Sequence, residues 1–69
     1  MSVERITVAL TTRVSGELQR LRTMTGLSKT DLVNRALSLY LLTETQRQRG
    51  QHLAFYDPET KEIQLVHLT

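Results

Sequence analysis

The chain has 69 residues, 39% of them hydrophobic and 23% charged, with no cysteine and a net charge of +2. That length bounds it at one small domain, and zero cysteines exclude disulfides and thiolate metal sites. No run of about 18 apolar residues is present to span a bilayer, and the N-terminus lacks the basic-then-apolar order of a signal peptide, so the expected location is the cytoplasm, with no membrane partner.

Charge is distributed unevenly. Residues 1 to 50 carry eight basic against four acidic residues, a net of +4, whereas residues 51 to 69 carry Lys61 against Asp57, Glu59 and Glu62, a net of −2. A polyanion would therefore meet the first part and avoid the second. The composition divides the chain into a basic body, residues 1–50, and an acidic extension, residues 51–69.

The first element in chain order is a strand. Arg5 to Leu10 alternates strictly, with Ile6, Val8 and Leu10 on one face and Arg5, Thr7 and Ala9 on the other. It is the lone strand signal for the next forty residues, and an isolated strand leaves its backbone groups unpaired. With no disulfide to supplement a small core, the pattern calls for a second copy of the chain.

Thr11 and Thr12 are both residue types that cap a helix, and Val14, Leu18 and Leu21 follow at helical spacing, predicting a helix to about Thr25. Gly16 weakens its first turn, and Gly26 stands where a helix commonly ends in a left-handed residue. Ser28-Lys29-Thr30-Asp31 fits a capping box and starts a second helix. Leu32, Val33, Ala36, Leu37, Leu39, Tyr40, Leu41 and Leu42 wrap that helix beyond a single stripe, which predicts burial on more than one side, Tyr40 included. Leu39 and Leu42 are left over for a further partner.

The polar stretch from Thr43 to Gln51 ends this helix, with Arg47 and Arg49 near its C-terminus and Gly50 as a stop. Leu53-Ala54-Phe55-Tyr56 and Ile63 to Leu68 then flank Asp57-Pro58-Glu59-Thr60, a turn with Asp first and Pro second, and together they predict a β-hairpin.

The order of strand, helix, Gly turn and capped helix within about forty-five residues resembles the ribbon-helix-helix family of DNA-binding proteins, to which the Arc and MetJ repressors belong. Two segments carry the likeness. Arg5-Ile6-Thr7-Val8-Ala9-Leu10 looks like the family's N-terminal ribbon strand, and Gly26-Leu27-Ser28-Lys29-Thr30 looks like its interhelical turn, nearest to the plasmid copy-control members. The likeness covers roughly residues 4 to 45 and leaves residues 51 to 69 outside it.

The resemblance implies an α+β, mainly α fold: a ribbon-helix-helix homodimer, intertwined, with the hairpin as a C-terminal addition. It further implies that two copies pair their strands into an antiparallel ribbon entering the major groove of double-stranded DNA. The outward residues then read bases. Arg5 can donate twice to guanine, Thr7 can donate or accept at a base edge, and Ala9 offers an apolar contact to a thymine methyl. Here the chain departs from the family, which often places a hydrogen-bonding side chain where Ala9 stands. The expected dimer core comprises Ile6, Val8, Leu10, Leu18, Leu21, Val33, Leu37 and Tyr40.

The second helix's N-terminus presents free amides and a positive dipole end, and Ser28, Lys29 and Thr30 add two hydroxyls and a charge, a set suited to a phosphate. Taken alone, that set reads first as an ordinary cap with a solvated lysine. His52 and His67, without further ligands, fall short of a metal site, so no metal or other cofactor is expected. Phe55 and Tyr56 lie in the acidic hairpin, where packing is their expected role. No nucleophile, base and orienting group stand together, and there is no phosphate-binding glycine loop, so no enzymatic activity is expected. The expected function is a sequence-specific transcriptional repressor acting on a palindromic or repeated operator as a homodimer or as an array of dimers. The alternatives are an antitoxin or DNA-processing accessory protein that binds a protein partner through residues 51–69, and a dimerisation or adaptor module without specific readout.

Overall fold

A computed structural model describes residues 3–67. It is a small, mainly helical α+β fold in which two helices are followed by a two-stranded antiparallel hairpin: α1 (Thr12–Thr25), α2 (Lys29–Gln48), β1 (Ala54–Tyr56) and β2 (Ile63–Leu65). The chain divides into two units, one ending at Val33 and one beginning at Asn34. This boundary lies inside α2 rather than at residue 50, where the composition changes.

The helix ends are decided locally. Of the two threonines before α1, Thr11 is the cap, its hydroxyl accepting from the Val14 amide at 3.1 Å while its carbonyl accepts from Ser15 at 2.8 Å. Gly26 ends α1 in the left-handed region at φ 70°, its amide donating to the Arg22 carbonyl at 2.9 Å, a conformation open to glycine because it has no Cβ. Ser28 caps α2 by accepting from the Asp31 amide at 3.1 Å. The reciprocal half of the capping box, Asp31 carboxylate to Ser28 amide, is not among the hydrogen bonds formed by the described residues. Aspartate is one methylene shorter than the glutamate that usually closes such a box. At the far end, the Gly50 amide reaches Arg47 at 2.9 Å and the Gln51 amide reaches Gln46 at 3.0 Å, the paired bonds of a Schellman stop with Gly50 at φ 81°.

Gly16 lies within α1, and a Cβ built there meets nothing within 4 Å. Gly16→Ala is therefore expected to raise stability by about 0.5–1 kcal/mol, the helix-propensity difference between the two residues, read as an upward shift of the denaturant midpoint. A fall in stability would place another chain against residue 16.

The hairpin pairs Ala54 with Leu65, Phe55 with Gln64 and Tyr56 with Ile63. Its loop is one residue longer than the four-residue turn expected from Asp57-Pro58-Glu59-Thr60. The Lys61 amide closes it on the Asp57 carbonyl at 2.8 Å, and Lys61 takes the left-handed conformation at φ 65°. The Asp57 carboxylate accepts from the Glu59 amide at 2.9 Å, the local bond that makes aspartate a turn starter. The Leu68 end of the expected second strand lies outside the described residues.

Two further expectations concern pairing with a second copy, and the single chain has the following. Residues 5–10 carry no regular secondary structure, since among the described residues no strand pairs with them and a ladder needs two. Tyr40, expected on a buried face, is exposed, as are Ile6, Val8, Leu10, Leu21, Val33 and Leu37. Leu18 is half-buried.

Among the described residues the buried side chains are Leu32, 7% exposed, in the first unit and Thr43, 6% exposed, in the second. Thr43 is satisfied by donating its hydroxyl to the Leu39 carbonyl at 2.9 Å. Units of this size rarely stand on their own without a metal, a disulfide or a partner.

Candidate nucleic-acid interface

In the first unit the N-terminal segment lies beside the first turn of α2. Val3, Glu4, Arg5, Ile6, Thr7 and Val8 line one side of an open groove of about 640 Å³, and Lys29, Thr30 and Val33 line the other. The positions of Lys29 and Thr30 follow from two local features. The Gly26 turn ends α1, and the Ser28 cap starts α2 with Lys29 and Thr30 in its first turn. Arg5 and Thr7, expected at bases, thus share a groove with Lys29 and Thr30, expected at phosphates. Ala9 and Ser28 do not line it.

The groove carries charges of both signs. Among the described residues the ion pairs are Arg13 with Glu17 at 3.0 Å and Arg47 with Glu44 at 2.7 Å, so neither Arg5 nor Lys29 is ion-paired with a described carboxylate. The N-terminal end of the α2 dipole, capped by Ser28, adds a positive partial charge beside Lys29. Two carboxylates temper it: Glu4 on the groove wall and Asp31 in the first turn of α2. The set therefore has the residue types for positioning a phosphate backbone, the helix N-terminus with a lysine, and for reading a base edge, an arginine and a threonine.

The apolar neighbours are part of the site. Ile6 and Val8 are 60% and 61% exposed, and Leu10 and Leu21 are exposed as well. Side chains of this size at such exposure cost the chain much of the roughly 1.5–3 kcal/mol each that full burial contributes. Sequence reasoning did not anticipate that Val33 would stand in the same groove as Arg5, because that proximity joins residues 28 positions apart and leaves no periodic trace.

In the second unit, Thr43, Arg47, His52, Leu53, Val66 and His67 enclose a smaller cavity of about 160 Å³. No group of three or more His, Cys, Asp or Glu side chains able to hold a metal occurs among the described residues. No helix there is long and apolar enough to cross a membrane. Compared with protein families, characterised proteins and solved structures, the chain matches none.

Proposed function

We propose that the chain is a sequence-specific DNA-binding repressor of the ribbon-helix-helix type, acting as a homodimer. In this reading residues 5–10 of two copies pair as an antiparallel ribbon. Ile6, Val8 and Leu10 turn inward on the helices, and Arg5, Thr7 and Ala9 turn outward into the major groove. The α2 N-terminus, with Ser28, Lys29 and Thr30, holds the flanking phosphates. Occupying a palindromic or repeated operator then blocks transcription from it.

The observation that carries the reading is the shared groove, in which Arg5 and Thr7 lie beside Lys29 and Thr30 at the N-terminus of α2. The exposed row Ile6, Val8 and Leu10 supports the dimer, because a second ribbon would cover it and pair the backbone that one chain leaves without a ladder.

Selection of bound fragments from random duplex DNA, followed by titrations at several salt concentrations, tests the proposal. One palindromic or repeated motif should be enriched and bound at least about 10³-fold tighter than scrambled duplex, with affinity falling linearly in log salt. Weak affinity without sequence preference would instead favour the adaptor reading.

A further inference from the structure

The hairpin has two faces that differ in what they meet. The Val66 amide donates to the Leu53 carbonyl at 2.9 Å and the Asp57 amide to the Glu62 carbonyl at 2.9 Å, so Leu53/Val66 and Asp57/Glu62 are hydrogen-bonded pairs. By alternation, Ala54/Leu65 and Tyr56/Ile63 are the non-hydrogen-bonded pairs, whose side chains stand closest together on the opposite face. Leu53 and Val66 are half-buried and share the small cavity with Thr43 and Arg47, so their face is the one turned to α2. The outer face consists of Ala54, Tyr56, Ile63 and Leu65, with no polar member except the tyrosine hydroxyl, and Ile63 is 67% exposed.

We infer that this outer face is a self-association surface, taken by the same face of a second copy of the chain with the two hairpins antiparallel. Charge selects both occupant and direction. The turn end carries Asp57, Glu59 and Glu62 against Lys61, whereas the open end follows Arg49, Arg47 being paired with Glu44. A parallel arrangement sets acidic turn on acidic turn. An antiparallel one, generated by a two-fold axis through the apolar patch, sets each turn on the partner's open end, with opposite charges meeting at both rims.

A four-residue face is small, so the hairpin contact is a weak interface, below the roughly 1,200 Å² of a standard complex. The inference stands apart from the DNA-binding reading, because it concerns the protein in the absence of DNA.

Sedimentation of the full chain without DNA, from about 1 μM to about 1 mM, is the test. The wild-type mass should rise with concentration, and Ile63→Asp should halve the mass reached at the upper end. Phe55→Asp, on the opposite face, should leave that mass unchanged. Helical circular dichroism verifies that each variant is folded. The halving is read whether the smaller species is a dimer or a monomer, so failure of the ribbon-dimer reading does not blur it. Equal masses for wild type and Ile63→Asp, or equal decreases for Ile63→Asp and Phe55→Asp, overturn the inference. Should Ile63→Asp fail to fold, the rims decide. Glu59→Arg should weaken association at least tenfold, and adding Arg49→Glu should restore it, while absence of restoration overturns the antiparallel pairing.

Discussion

A hundredfold dilution is expected to lower the melting temperature by about 5–10 °C, because an obligate dimer loses about 2.7 kcal/mol of stability over that range. The expectation follows from how little the single chain buries. Leu32 and Thr43 are its buried side chains among the described residues, while Ile6, Val8, Leu10, Leu21, Leu37 and Tyr40 stand exposed. In the proposed dimer, folding and association are one event, since the strand and the apolar circumference of α2 are completed only by another copy. Val8→Asp then places a carboxylate from each copy inside the ribbon core. An unpaired buried charge of that kind costs about 3–5 kcal/mol, enough to leave the variant unfolded at concentrations where the wild type is a dimer. Calorimetry across the dilution series, with sedimentation for mass, checks both. A melting temperature independent of concentration together with a monomeric mass rules the dimer out.

Arg5→Ala is expected to cost about 1–3 kcal/mol for each guanine that the arginine reads and to relax preference at particular operator positions, since a bidentate pair carries that much discrimination between bases. Thr7→Ala should act in the same direction but less, since one hydroxyl makes one bond. Lys29→Ala should behave differently, weakening operator and scrambled duplex almost equally and flattening the salt dependence, because each missing phosphate partner releases one counterion fewer. The groove sharpens this contrast. Arg5, Thr7 and Lys29 line the same surface, so a merely electrostatic role would make the two cations interchangeable. Arg5, Thr7 and Lys29 are all exposed, so melting curves should stay close to wild type. The measurement is affinity for both duplexes at several salt concentrations. If Arg5→Ala and Thr7→Ala leave the ratio of specific to non-specific affinity unchanged, the base-reading element lies elsewhere.

The parts of this protein that its sequence determined by itself are those settled within about four residues of chain. Thr11, Gly26, Ser28 and Gly50 bound the helices through caps that join positions two to five apart, and such bonds form wherever those residue types occur at that spacing. Alternation around Asp57-Pro58 marked the hairpin for a similar reason, because strand period and turn chemistry are both local. Even locally there were limits. The capping box forms only its serine half, and the loop takes in Lys61 as a left-handed residue that no glycine or asparagine announced.

What only the tertiary structure decided was which residues from distant parts of the chain meet. Leu32 is buried while Val33 beside it is not, Thr43 from a polar stretch is the buried side chain of the second unit, and Val3 to Val8 flank Lys29, Thr30 and Val33. The choice of Leu53 and Val66, rather than Tyr56 and Ile63, as the hairpin face turned to α2 is of the same kind. Periodicity states that an element has an apolar face. Which neighbour covers that face is set by packing between segments far apart in sequence, and hydrophobic attraction, being non-directional, leaves no local mark of its partner.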